Sequence, residues 1–486
     1  MTMEGARSPA TASGDTTAAS TGLSTGVSAV TAEEKQTPDK RRYLYALIIL
    51  ILLLLLLFLC GLYIAIRSSS AGQQEKRKAD TSAPVYIKSR KPVTEATRTS
   101  PATTTTKRPT STGYGYMVCT FGRGGHTAEM LPIKQEICDI IVFTHVVVSD
   151  GTIVSKAGEV SYEIFLKAAT QYNNDTDTRF GLSYSPHRLR MALAAGKDAA
   201  KEASAFVKPA KKLFSGTGLS AVGVMGIEQK AKDFAHDPKL RAWFKVVSSF
   251  AKGLVNGTLF LGLKMKDKSK DLASDKQLAK TVLQTAKQMK VALLVLVTHN
   301  AENMGNSSCT TVPVSSWSAK AYKDPTKPAL EHIFKFLQNG LKGERTLEVA
   351  LSSTLVFMGF WLEEPVKKPV KFGTHCEANH PEQFVAYCLS QVPNERKHGA
   401  SLTATGFNDT TLFSFETPHT IEAKMRRFVM PLDDKVFRRV GWAFFDLAYE
   451  VYNRSACIVN NTVSQIFPRL TAGKAVLDEN RNRKFA

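Results

Sequence analysis

With 486 residues and a formal net charge of +21, the chain has room for two or three average domains or for one large domain with appendages. A charge excess of this size reports association and solubility and does not specify a fold. Five basic and five acidic residues cancel within residues 1–42. That segment is Ser, Thr, Ala and Gly with almost no large apolar groups, so it is excluded from forming a packed core that could offset the entropy of ordering.

Residues 1–42 are therefore expected to be a disordered tail. Residues 43–66 read YLYALIILILLLLLLFLCGLYIAI, 24 positions without a charge, enough to cross a hydrocarbon core of about 30 Å as a helix. A cleaved signal peptide has a shorter apolar core near the N-terminus, so the expectation is an uncleaved signal anchor. Lys40, Arg41 and Arg42 precede the run and only Arg67 directly follows it. This places the tail in the cytoplasm and the C-terminal region outside the cell, a single-pass type II arrangement at the plasma membrane. Sequons at Asn174, Asn256, Asn306, Asn408, Asn453 and Asn460 all lie on the C-terminal side and agree with a glycoprotein. Residues 67–113 read as a stalk, because 18 of the 33 residues from Asp80 to Thr112 are Ser, Thr or Pro, the composition of an O-glycosylated spacer. Within it, EKRK at Glu75 to Lys78 reads as juxtamembrane positive charge, with a processing site for shedding as the alternative. An extracellular location makes anionic glycans, sialylated surfaces or acidic head groups the partners of the basic surface, and leaves nucleic acid out.

From residue 114 to 470, short β-branched runs alternate with helical segments. Strands are predicted at YMVCTF, CDIIVFTHVVV, RFGLSYS, LSAVGVMGI, TLFLGLKM, VALLVLVTH, LSSTLVFMGF and VGWAFFDL. Between them EIFLKAATQY, LRAWFKVVSSFAKGL, KQLAKTVLQTAKQM, ALEHIFKFLQNGL and HTIEAKMRRFV carry apolar residues at i, i+3, i+4. Eight strands alternating with helices predict parallel pairing in a (β/α)8 TIM barrel, with an open doubly wound sheet as the alternative. Residues 471–486 read as a basic C-terminal tail.

YMVCTF followed by CDIIVFTHVVV, and TLFSFETPHTIEAKMRRFV followed by GWAFFDL, resemble the opening and closing elements of glycoside hydrolase family 18, the chitinases and chitinase-like proteins, over about Tyr116 to Val451. The resemblance implies a disulfide between Cys119 and Cys138 on the first two strands. Cys376 is then expected to pair with Cys388 on proximity, leaving Cys309 with Cys457 by elimination. The family's acid/base Glu ends the fourth strand in D-x-x-D-x-D-x-E, where strand alternation aims the acids into the barrel mouth. LSAVGVMGI offers Ser220, Gly223, Met225 and Ile227 at those positions, none able to transfer a proton. Glu228 lies one residue beyond, where a period of two points it away from the mouth; it is the fallback acid if the register slips. The Met-x-Tyr-Asp of the sixth strand is replaced by a segment giving Thr298 and His299, and the Ser-x-Gly-Gly turn of the third is missing from RFGLSYSP.

The resemblance therefore implies a barrel that has lost hydrolysis and keeps a role in glycan binding or cell-surface interaction. The alternatives are an active hydrolase of N-acetylglucosamine polymers and a structural or adhesive surface protein. Trp442 and Trp361 match aromatic positions of the family's sugar site, and Tyr184 and His299 complete the expected groove. No cofactor or metal is expected. In THCEANH, His375 and His380 are spaced i, i+5 and Cys376 has a disulfide partner to hand, while FGRGGHT lacks the Lys of a phosphate loop.

Overall fold

The computed structural model describes residues 115–482 apart from 123, 125–126, 157, 173–174, 301–308, 322–327, 342–345, 364–370, 383–395, 409, 430–439, 451–457, 460–461 and 464–465. The tail, the apolar run 43–66 and the stalk lie outside the described residues, as do Asn174, Asn306, Asn453, Asn460, Cys388 and Cys457. Among the described residues no helix is long and apolar enough to cross a membrane.

Eight parallel strands close a barrel among the described residues. They are β1 (Met117–Gly122), β2 (Ile140–Ser149), β4 (Arg179–Tyr184), β5 (Ala221–Gln229), β6 (Thr258–Met265), β7 (Leu293–Leu296), β8 (Glu348–Thr354) and β14 (Val440–Phe445). β1 pairs with both β2 and β14, which shuts the ring, and β3 (Thr152–Ser155) folds back antiparallel on the end of β2. All eight predicted strands are present in the ring, so the TIM-barrel expectation holds.

The crossover helices start where the sequence supplies caps. Asp198 accepts the amides of Ala200 and Lys201 at 2.8 and 3.2 Å to open α3 (Ala199–Thr217), which stops at Gly218 with φ 68°. Asp237 accepts Leu240 N at 2.9 Å, with Pro238 behind it, to open α4 (Pro238–Lys252), and Asp275 does the same for Leu278 at 2.8 Å in α5 (Lys276–Gln288). α1 (Glu159–Tyr172) and α2 (Pro186–Ala194) precede them, and α6 (Leu330–Gly340) and α7 (Pro418–Val429) follow.

Two apolar layers result from the alternation along each strand. The outer layer, between strands and helices, holds the large side chains: Phe143, Phe165, Phe180, Tyr184, Phe206, Trp243, Trp442 and Phe444. The inner layer is narrow and built from Val118, Ile140, Val142, Ala221, Met225, Phe260, Leu293, Val295, Ala350 and Ala443.

Three expectations are corrected here. Between the seventh and eighth barrel strands the chain builds a separate five-stranded antiparallel sheet, ordered β10-β9-β13-β12-β11. Its members are β9 (Phe357–Trp361), β10 (Ala378–Glu382), β11 (Arg396–His398), β12 (Thr403–Phe407) and β13 (Thr411–Phe415). LSSTLVFMGF is thus two strands in two sheets. Second, residues expected as a basic tail belong to α8 (Pro468–Asn482), which buries Leu470, Val476 and Leu477. Arg469 anchors it, bonding Glu450 Oε2 at 2.9 Å and the carbonyls of Leu355 and Tyr449 at 2.9 and 2.6 Å. Third, Cys376 pairs with Cys309, 67 residues away, and not with Cys388; this also removes the Cys309–Cys457 bond. That bridge sits in the insertion's own core with Val314, Met358, Phe360 and Leu412. Cys119 and Cys138 are bonded as expected.

Candidate functional site at the C-terminal end of the barrel

In a parallel barrel the C-terminal ends of the strands carry the polar side chains that the interior cannot hold, and loops above them form the site. The decisive local feature is in β5. Ala221, Gly223 and Met225 face the interior while Val222 and Val224 face the helices. After Val224 the pairing with β6 shifts, so that Ile227 stands opposite Leu263 and Glu228 opposite Lys264. This is a β-bulge at Met225–Gly226. Gly226 has φ +86°, and a Cβ on the facing Gly262 would meet Gly226 N at 2.7 Å, so both glycines are needed. Ser183 Oγ accepts Met225 N at 2.8 Å and holds the start of the bulge.

The bulge reverses the period-2 reading. Ile227 packs into the outer layer, and Glu228 shares the inward face of Lys264. Glu228 therefore points into the barrel mouth, correcting the expectation that it points away and that Ile227 occupies the acid position. Its carboxylate meets Lys266 at 3.1 Å, Lys264 at 3.4 Å and Arg190 of α2 at 3.7 Å. Burial alone would raise its pKa, but the hydrogen bond from Lys266 and the Lys264 charge outweigh it and hold the carboxyl below its ordinary value.

The rest of the mouth is polar and mostly neutral. His145, at the register shift within β2, lies 3.0 Å from Ser183 Oγ, and burial together with the Lys156 charge pulls its pKa to about 4. His299, after β7, bonds Ser352 Oγ at 2.7 Å through Nδ1 and packs its ring 4.5 Å from Phe445. Burial and the nearby Lys264 charge pull its pKa to about 3. A second carboxylate, Asp446, ends β14, accepting from Thr354 Oγ1 at 3.0 Å, with its pKa raised by burial despite that bond. In the ring order, β14 and β5 are four strands apart in either direction, so the two carboxylates stand on opposite sides of the mouth.

His299 is thus where the groove was expected, and two aromatic expectations are corrected. Trp442 lies in the outer layer, fully buried, its ring 6.0 Å from Phe428 of α7 and its Nε1 donating to Ser353 Oγ at 3.1 Å. Tyr184 is also outer, stacked on Trp243 and donating to Glu202 at 2.9 Å. Neither can touch a ligand in the mouth. Trp361 is 49% exposed on the insertion sheet, 4.6 Å from the His380 ring. Among the described residues Phe445 is an aromatic on the mouth side, since alternation places it opposite in facing to Trp442 and Phe444. His145, Ser183, Lys264, Lys266, Arg190, Ser352 and Asp446 were missed; an isolated Gly inside a strand was the signal that could have flagged the bulge.

Asn256 and Asn408 are exposed, as acceptors must be. Among the described residues no cluster could hold a metal ion. A cavity of about 1810 Å³ opens at the opposite, N-terminal end of the barrel, lined by residues including Arg179, Lys208, Lys211 and Asn256.

A closed (β/α)8 barrel with a β-rich insertion before its last strand is the class this fold defines. No family model and no curated protein matches the sequence. Among solved structures, the likeness is to chitinases and chitinase-like proteins. The immunomodulatory active chitinase TsES1 of Trichuris suis aligns at TM-score 0.54 and 11% identity over 74% of this chain and all of its own, 100%. Human YKL-39, a pseudo-chitinase with retained chitooligosaccharide binding properties, aligns at 0.56 and 11% over 75% and 100%. The chitinase-like agglutinin of Robinia pseudoacacia aligns at 0.51 and 12% over 74% and 99%. At these identities the likeness establishes the fold, that of a divergent chitinase-like barrel.

Proposed function

We propose that this chain is a type II membrane glycoprotein whose chitinase-like barrel binds glycan at its mouth without hydrolysing it. The observation that carries the second half is the environment of Glu228. A general acid must hold a proton near working pH to give to the leaving oxygen, a contribution of about 10² to 10⁴-fold in rate. Glu228 is held ionised by Lys266 and Lys264, and Asp446 is too far around the ring to raise its pKa. Binding needs no such proton. The partly exposed imidazole of His145, steadied by the buried Ser183, suits a sugar hydroxyl, and the partly exposed Phe445, packed on the buried His299, offers a ring for stacking. The likeness to YKL-39, which retains chitooligosaccharide binding as a pseudo-chitinase, supports this combination.

The hydrolase reading is favoured by one fact, that Glu228 does face the mouth at the end of the fourth barrel strand. A turnover assay on chito-oligosaccharides with the purified full chain, wild type beside Glu228→Gln, separates the two. We expect neither to exceed buffer; hydrolysis abolished by that single change would establish the enzyme. The membrane arrangement rests on the apolar run and its flanking charges, and an N-terminal epitope tag that stains on unpermeabilised cells would overturn it.

A further inference from the structure

The cavity at the N-terminal end of the barrel carries a candidate occupant on its own lip. Part of its wall is apolar: the rings of Phe214 and Phe250 meet edge to face at 5.2 Å, and Leu254 lines the same space. Val255 carries that wall out into water, 85% exposed. A lone exposed valine needs no explanation, but one that continues a concave apolar wall does. The next residue is Asn256, exposed, part of the lining, and the acceptor of the sequon Asn256–Gly257–Thr258. Its backbone is left-handed, φ 52°, at the turn into β6.

We propose that Asn256 carries an N-linked glycan whose first N-acetylglucosamine residues fold back over this cavity and cover Val255. The inference rests on the glycoprotein half of the reading above, which sends the C-terminal region through the compartment where such glycans are added. In the transfer, Asn256 Nδ2 forms a bond to C1 of the first sugar while the bond from C1 to a lipid-linked diphosphate breaks. The diphosphate leaves with the electron pair, and the amide gives one proton to solvent; the donor is an oligosaccharyl diphosphate lipid. Thr258 sets the timing. It is 4% exposed, and its Oγ1 accepts from Arg179 at 2.6 Å, so with Asn256 left-handed the sequon cannot be presented in extended form once the barrel has closed. Addition therefore precedes folding, and the barrel closes with the sugar already at the lip. A tether this short gives an effective concentration on the order of mM or more, enough for weak contacts to hold the sugar down. Acetamido methyls and pyranose C–H faces cover the apolar wall, and the sugar hydroxyls meet the exposed Lys211 and Ser215 of the same lining.

Asn408 supplies the internal reference, because it is exposed and lines no part of the cavity. The test uses the full chain from a host that adds N-linked glycans. Glycopeptide mass spectrometry reads occupancy at each site, and peptide-N-glycosidase is applied to the folded chain over time. We expect both sites to be occupied, with release from Asn256 about tenfold slower than from Asn408, and the two rates within about twofold after unfolding. This arm needs no variant. Asn256→Gly then removes the acceptor while suiting the left-handed backbone, so its effect reports the sugar and not strain. That chain should bind about threefold more anilinonaphthalene sulfonate than wild type, whereas Thr410→Ala, which removes the Asn408 sequon, should not. Equal release from the two sites in the folded chain, an empty Asn256 beside an occupied Asn408, or an Asn256→Gly chain that takes up no extra dye overturns this inference and leaves the glycoprotein reading standing. If every sequon in the chain is empty, the glycoprotein reading falls and the inference with it.

Discussion

Two carboxylate–lysine clusters in this molecule have the same chemistry and opposite surroundings. Glu416, at the end of β13, and Lys424 of α7 form an ion pair with both side chains 0% exposed. Ser315 and Thr420 hydroxyls donate to Glu416, and the Lys424 ammonium also donates to Ser315 Oγ at 2.8 Å and Thr403 Oγ1 at 3.3 Å. Every charge is met by dipoles, and the network joins the insertion sheet to α7 and to the segment that bridges His299 through Ser315. Glu228 and its neighbours Lys266 and Arg190, by contrast, are open to water. The sealed cluster is complete in itself, so its role is architectural; the open one exchanges its partners with solvent. Charge pairs alone do not distinguish a site from a strut, and solvent access does.

The sharpest break in this comparison comes from Lys424→Met. It leaves Glu416 buried without a counter-charge, and losing one member of a sealed pair typically costs about 3 to 5 kcal/mol. The urea midpoint should fall accordingly, and adding Glu416→Leu should recover part of the loss, since the orphaned charge goes with it. A Lys424→Met variant as stable as wild type would show that the cluster is hydrated and not a strut. Trp442→Ala belongs to the same class: the ring fills the outer layer against Phe428, and emptying it should cost about 3 to 5 kcal/mol. Trp442→Phe should fold and should bind glycan like wild type, because the ring never reaches the mouth. Loss of binding in a folded Trp442→Phe chain would return Trp442 to the groove.

How much of this could be read beforehand differs between backbone pattern and register. The barrel strands announce themselves as β-branched runs, and helices such as α4 and α5 as apolar stripes with Asp caps, because both signals are local. α3 is hidden by Pro209 and by four exposed lysines, Lys201, Lys208, Lys211 and Lys212. The β9 strand runs on from β8 through the apolar pair Leu355–Val356, so no punctuation marks the change of sheet, and β10, ANHPE, contains Pro381. Orientation was the harder quantity. One bulged residue at Gly226 flips every later side chain of β5, which turned a correctly located Glu228 to the wrong side. Disulfide partners follow three-dimensional approach, and Cys309, in the loop after β7, meets Cys376 of the insertion across 67 residues that include α6 and β8, which sequence proximity could not foresee.

Acid should separate the mouth from the rest of the core. His145 and His299 have pKa values drawn down from 6.5 to about 4 and about 3 by burial. In the unfolded chain each binds a proton below about pH 6.5, while the folded chain refuses it until about pH 4 or 3. Stability contributed by these neutral rings is therefore present above about pH 6.5 and is lost as the pH falls toward 4, by on the order of 3 kcal/mol for each ring at that point. His299→Gln should flatten the fall in unfolding free energy between pH 6.5 and 4, measured by denaturant titration. An unchanged slope would place the His299 ring in water.

The smallest effect expected on stability is the one at Glu228. Arg190 and Lys266 are half-exposed and Glu228 is itself open to solvent, and ion pairs in that setting are worth about 0 to 1 kcal/mol. Glu228→Gln should therefore lower the unfolding free energy by about 1 kcal/mol or less, because Lys266 and Arg190 are left to repel one another without that carboxylate. Salt screens exactly such half-exposed charges, with a Debye length of about 3 Å at 1 M, so the difference between wild type and variant should vanish there. The Lys424→Met deficit, sealed from ions, should persist at the same salt. If instead Glu228→Gln proves as damaging as Lys424→Met and as indifferent to salt, the mouth cluster is a second strut, and the cations at the β5–β6 corner are not available to any ligand.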